Sequence, residues 1–193
     1  LFAGIGYGGS CFPKDVKALI RTLHETGIDA GILESVERVN DAQKRLLLEA
    51  VVERFGEDLS GRTFAVWGLS FKPETDDMRE APSLVVVEGL LARGARVQVH
   101  DPQALHVARR HFGERVSYHE HNFDAVDGAD ALLILTEWKP YRRPDFQRMR
   151  TLLRQPVIFD GRNLFEPARM RDLGFEYVSV GRVRALPEPV PAS

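Results

Sequence analysis

The sequence predicts an α/β protein in which a helical segment precedes a parallel sheet with helices on both faces. Three observations carry that reading. Residues 63–180 alternate short apolar runs with stretches of helical period, the pattern of strands joined by crossover helices. The run 131–135, Ala-Leu-Leu-Ile-Leu, has no polar position, as expected of a strand covered on both sides. Residues 1–57 instead hold a glycine-rich stretch and two long helical patterns.

In chain order, residues 13–25 form a helix. Val16, Leu19, Ile20 and Leu23 recur at helical spacing, Pro13 suits the first helical position, and Gly27 follows as a stop. Residues 30–55 form a second helix with Asp29 as its cap. Ile32, Val36, Val39, Leu46, Leu47, Ala50, Val51 and Phe55 make one stripe, widened by Leu33, Leu48 and Val52. A helix of about 39 Å with so broad an apolar face predicts an intersubunit contact, and hence a homodimer. The polar turn 58–62 marks the boundary between a helical domain, 1–57, and a sheet domain, 61–186. Strands are expected at 63–67, 96–100, 131–135, 157–159 and 176–180, and helices at 82–92, 103–111, 123–126, 144–153 and 167–173. The tail 187–193, with three prolines in seven residues, reads as disordered.

Composition narrows the function classes. With 44% hydrophobic and 28% charged residues, the 193-residue chain reads as soluble and globular. A formal net charge of -2 gives no electrostatic case for nucleic acid or an anionic membrane. One cysteine excludes an internal disulfide framework and fits a reducing cytoplasm.

That cysteine stands in the most informative stretch, Gly4-Ile5-Gly6-Tyr7-Gly8-Gly9-Ser10-Cys11-Phe12-Pro13-Lys14-Asp15. Glycines let backbone N–H groups approach a ligand closely. Cys11 falls just outside a helix N-terminus, where the helix dipole favours thiolate. Asp15 follows in the first turn. A nucleophile, an anion-friendly loop and a carboxylate within twelve residues point to covalent chemistry on a phosphorylated or sugar-like substrate. Gly4, Gly6 and Gly9 also fit G-x-G-x-x-G, but without a leading strand the dinucleotide fingerprint lacks its context.

Ligands of open parallel sheets bind beyond the carboxyl ends of the strands. Lys72 and Arg162 stand on that edge and suit a phosphate-bearing ligand. Glu137 and Trp138 read as a strand end that meets solvent, and Asp101 is left open. Asp76 and Asp77 read as turn formers rather than metal ligands, having no histidine near them in sequence. His106, His111, His119 and His121 match no zinc spacing and read as solvated. No metal is expected.

The stretch GYGGSCFPKDVKAL resembles the active-site segment of the UDP-glucose/GDP-mannose dehydrogenases, the nucleotide-sugar dehydrogenase family. Residues 68–83, GLSFKPETDDMREAPS, and 159–163, FDGRN, resemble that family's pattern in the family's order. The resemblance implies a Rossmann-like UDP-binding domain after a central dimerisation helix, and oxidation of a UDP-sugar C6 alcohol to a carboxylate with two NAD molecules per turnover. It assigns Cys11 as catalytic nucleophile, through a thiohemiacetal and a thioester, and Asp15 to water or proton steps. Phe2, Ala3, Gly4, Ile5, Gly6, Tyr7 and Gly8 match the loop around sugar and diphosphate. Phe71 and Lys72 match substrate contacts, and Arg162 an arginine reaching substrate held chiefly by the partner subunit. Cys11, Phe12, Pro13, Lys14 and Arg79 match residues that approach NAD from outside its own domain. Phe12 favours the UDP-glucose branch over GDP-mannose, where Leu is common. The family's N-terminal NAD-binding domain has no counterpart here, so the chain alone is expected to be inactive. Rival readings are a dehydrogenase for another nucleotide sugar (GDP-mannose or a UDP-N-acetyl sugar), a non-catalytic nucleotide-binding and dimerisation module, and a redox-sensing thiol protein, which would need a resolving cysteine.

Overall fold

A computed structural model describes residues 3–187. Two helices, α1 (Phe12–Glu25) and α2 (Gly31–Phe55), precede the sheet. There follow β1 (Thr63–Trp67), α3 (Pro82–Ala92), β2 (Arg96–His100), α4 (Leu105–Phe112), β3 (Ser117–Tyr118), α5 (Asn122–Val126), β4 (Ala131–Ile134), α6 (Phe146–Leu152), β5 (Val157–Asp160), α7 (Pro167–Asp172) and β6 (Glu176–Ser179). The six strands lie in the order β3-β2-β1-β4-β5-β6, and every pairing is parallel. The fold is therefore the Rossmann-like α/β sheet that the alternation predicts, with its switch point between β1 and β4.

Each face has its own core. Leu47, Val51 and Phe55 of α2 join Val86, Val87 and Leu90 of α3 and Ala108 and Phe112 of α4 over one face. Val126, Met149 and Met170, from α5, α6 and α7, cover the other. The central strands β1 and β4 are buried at every position, which is why they read as uninterrupted apolar runs.

Four local expectations are corrected. β3 was absent from the sequence reading. It has two residues and pairs only with β2, too short to carry a period. Helix α1 begins at Phe12, so Pro13 takes its second position. The N-cap of α2 is Ala30, although the Asp29 carboxylate accepts the Gly31 N–H at 3.0 Å. Glu137 and Trp138 are drawn inward: Trp138 is buried and donates its indole N–H to Asp101 at 3.2 Å.

Asp101, left open by the sequence, ties the strand ends together. Its buried carboxylate accepts the N–H groups of Leu69, Ser70, Gln103 and Ala104. With every lone pair engaged, it serves the architecture rather than a ligand. The helix stripe read from 30–55 divides in two. Leu47, Leu48, Val51 and Phe55 are core, whereas Ile32, Val36 and Val39 are exposed. No helix among the described residues is long and apolar enough to cross a membrane. The expectations at Phe2 and for 188–193 lie outside the described residues.

Candidate active site

The glycine-rich loop is seated on α2 and on the segment after β1. From α2, Gln43 donates to the Gly4 carbonyl at 2.7 Å. Asn40 is buried; it accepts the Tyr7 N–H at 2.7 Å and donates to the Tyr7 carbonyl at 3.3 Å. The Tyr7 hydroxyl donates to Glu37, one turn earlier. Burial above all, then this contact, raises the Tyr7 pKa well beyond the phenol range. From the other side, the Gly9 N–H donates to the Arg79 carbonyl at 2.8 Å.

Two glycines are required by close approach. A Cβ on Gly8 would stand 2.5 Å from the Glu80 carbonyl oxygen. Gly9 has φ +94°, and a Cβ there would lie 2.9 Å from the Phe71 ring. No L side chain fits such contacts, and Gly9 sits in the left-handed half of backbone space besides. Ile5 is fully buried in the core, so only its backbone can face a ligand.

The loop delivers Cys11 to the N-cap of α1. The thiol is free and exposed, with Sγ 3.7 Å from Ser10 Oγ. Pro13 and Val16 beneath it are buried and anchor the first turn. Phe12 is exposed and meets the Tyr7 ring edge-on at 4.6 Å. The Asp15 carboxylate turns to Lys14 Nζ at 3.1 Å rather than to the sulfur, while its N–H bonds the Cys11 carbonyl at 2.8 Å.

The loop runs between two clefts. One, of about 650 Å³, begins at Gly9 and Ser10 and is walled by Lys14, Lys17, Arg21, Arg79 and His111, with Glu80 the carboxylate among them. Arg79 is gripped by Asp77 through Nε and Nη2, each at 2.9 Å. That contact raises the guanidinium's pKa. The cleft suits a phosphate-bearing ligand in charge and in place, beside the sulfur. The other, of about 560 Å³, is lined by Ala3, Gly4, Gly6, Tyr7, Asn40, Gln43 and Arg162, with Val36 and Val39.

Arg162, partly exposed, is paired at that end. Its Nε and Nη2 meet the two Glu137 oxygens at 2.5 and 2.7 Å. Burial opposes ionisation of Glu137, yet the Arg162 hydrogen bonds and charge hold its carboxyl below the ordinary range. The backbone that presents Arg162 is shaped by Asp160, whose buried carboxylate accepts the Arg162 N–H at 2.9 Å and the Leu164 N–H and Tyr177 O–H, each at 2.7 Å. Lys72 is exposed, its ammonium 5.3 Å above the neighbouring Phe71 ring.

The structure thus gathers Gly4–Gly9, Cys11, Lys14, Phe71 and Arg79 around one loop, and places Arg162 at its far end. Asn40, Gln43, Lys44, Glu37 and Glu80 were missed by the sequence reading. A signal existed for two of them. Asn40 and Lys44 interrupt the series Val36, Leu47, Val51, Phe55 at helical spacing, and both are buried. Tertiary contact also places His106 Nε2 3.1 Å from Asp76 and His111 in the basic cleft. Among the described residues, no three His, Cys, Asp or Glu side chains converge as metal ligands.

Comparison with known proteins places the chain in a family. Residues 65–167 match the UDP binding domain of the UDP-glucose/GDP-mannose dehydrogenase family, and residues 1–42 match that family's central domain. A UDP-glucose 6-dehydrogenase of Pseudomonas aeruginosa is 53% identical over 96% of this chain and 42% of its own length. One of Bacillus subtilis is 43% identical over 97% of the chain and 42% of its own length. Among solved structures, a UDP-glucose dehydrogenase from Pyrobaculum islandicum superposes with a TM-score of 0.78 at 39% identity, covering 92% of this chain and 38% of that one. The chain spans about two fifths of the length of these relatives and, on the strength of the two matched domains, belongs to the UDP-glucose/GDP-mannose dehydrogenase family.

Proposed function

We propose that this chain is the central and C-terminal part of an NAD-dependent UDP-glucose 6-dehydrogenase, and that Cys11 is its nucleophile. The observation that carries the reading is an exposed thiol at the start of α1, on a glycine loop clamped from both sides and flanked by a basic cleft. The chain's similarity to dehydrogenases named for UDP-glucose favours that sugar.

Oxidation of an alcohol to an acid passes through an aldehyde that must be held between two oxidations. Cys11 Sγ adds to the aldehyde carbon and holds it as a thiohemiacetal, then holds the acid as a thioester that water cleaves, freeing the thiol. Asp15, in the first turn beside it, takes the proton of that water. The glycine loop from Phe2 to Gly8 wraps the sugar, Phe71 and Lys72 contact the substrate, and Arg162 reaches the substrate held by a second copy. Lys14 and Arg79, with the backbone from Cys11 to Pro13, would hold NAD on the cleft side, where the cations offset its phosphates. NAD supplies the hydride acceptor when bound.

The exposed stripe of Ile32, Val36 and Val39 on α2 is the face on which a second copy docks. On this reading the 193-residue chain by itself is inactive: UDP-glucose and NAD+ give no NADH above background. In the full-length protein, Cys11→Ser abolishes formation of the uronic acid and stops at the aldehyde or a trapped adduct. Full acid production by that variant would overturn the nucleophile assignment and leave the nucleotide-binding and dimerisation module.

A further inference from the structure

Lys44 is a buried lysine that the reaction does not use. Its side chain is 6% exposed, and it stands in the middle of α2, directly below Gly6 of the glycine loop. Its ammonium has one carboxylate partner, Glu80 Oε2, at 3.3 Å. The other oxygen of Glu80 meets Lys17 Nζ of α1 at 2.8 Å. One carboxylate therefore joins three elements: the segment after β1, the helix that carries Cys11, and the helix that pins Tyr7. The Lys17 hydrogen bond above all, and Lys44 after it, hold the Glu80 carboxyl below its ordinary range.

The backbone of Glu80 is as unusual as its side chain. Its φ is +55°, a conformation that a non-glycine residue keeps only when its surroundings hold it there. In that conformation its carbonyl presses on Gly8, and the adjoining Arg79 carbonyl accepts the Gly9 N–H at 2.8 Å. The strained backbone and the two-lysine grip of Glu80 thus bear on the same two glycines, with only Ser10 between them and Cys11.

We propose that Glu80, gripped by Lys44 and Lys17, is a positioning residue that sets the height of the Gly8–Cys11 loop against the sheet. This role rests on the reading of Cys11 as nucleophile for its catalytic consequence, though not for its effect on the loop. Displacing the sulfur by a fraction of an ångström spoils attack on a bound aldehyde while leaving the groups that bind the nucleotide in place.

Lys44→Met and Glu80→Gln test this, singly and together. Met keeps the volume of the lysine stem without its charge, and the Glu80 carboxylate, 44% exposed, keeps Lys17 at 2.8 Å as its partner. Two measurements separate the proposal from the reading beneath it. In the 193-residue chain, amide exchange of the Gly8–Cys11 segment rises about tenfold in each single variant, with the melting temperature within a few degrees of wild type. In the full-length protein, kcat falls on the order of 10²-fold while KM for UDP-glucose stays within about threefold, and the double variant is no worse than the worse single one. Unchanged exchange in both variants overturns the positioning role. So does a loss of affinity with kcat retained. If exchange rises but the wild-type full-length protein forms no uronic acid, the loop role stands and the dehydrogenase reading falls.

Discussion

In the first half of α2, Ile32 is 83% exposed and Val39 63%; in the second half, Leu47 and Val51 are fully buried. Both sets lie on one stripe of similar residues. The difference is what stands opposite. The second half meets the sheet, where Phe55 contacts Phe64 and Phe159 edge-on and tilted, and Arg54 reaches Glu176 of β6 at 2.9 Å. The first half meets the glycine loop and α1, where His24 stands 3.0 Å from Glu34, and its Ile32, Val36 and Val39 are left exposed. Between them lie Asn40 and Gln43, which spend their polar groups on that loop, and Lys44, which spends its ammonium on Glu80. One helix is thus a core element at one end, a template for the candidate active site at its centre, and an open apolar face at the other end.

Breaking the buried end should cost most. Leu47→Ala leaves a cavity between α2 and the sheet and lowers stability by about 3–5 kcal/mol in denaturant melts; a loss under about 1 kcal/mol would show that this half is no part of the core. At the centre, Asn40→Ala strips both partners from Tyr7, costs about 1–3 kcal/mol, and raises amide exchange at Tyr7 before it raises exchange in the sheet. Equal protection at Tyr7 would mean that the loop holds itself. At the open end, Val39→Glu should change the stability of a monomer by no more than about 0.5 kcal/mol. Its effect appears instead in sedimentation, where the wild-type chain runs as a dimer and the variant as a monomer. A wild-type monomer at tens of micromolar would remove the second copy from this face.

Much of this arrangement is legible in the residues themselves. Thr63–Trp67, Pro82–Ala92 and Arg96–His100 fall where alternation and the proline start place them, because a covered strand needs an unbroken apolar run and a helix start needs a residue without a useful N–H. Cys11 at a helix start is legible too, from the glycines before it and Pro13 behind it. Glu137 was not: a carboxylate at a strand end has the same sequence signature whether it meets water or Arg162, 25 positions away.

By itself the sequence determined the strands other than β3, the helices and their order, and the thiol at the head of α1. These depend on contacts a few residues long, where period, caps and glycines act directly. Only the tertiary structure decided which part of the α2 stripe is core, that Asn40 turns its amide to the loop, and that Glu80 stands between Lys44 and Lys17 from different helices. Such groups are separated by 33 to 63 positions in the chain. What a buried charge meets across that distance is set by how the sheet brings the segments together, and no local pattern encodes it.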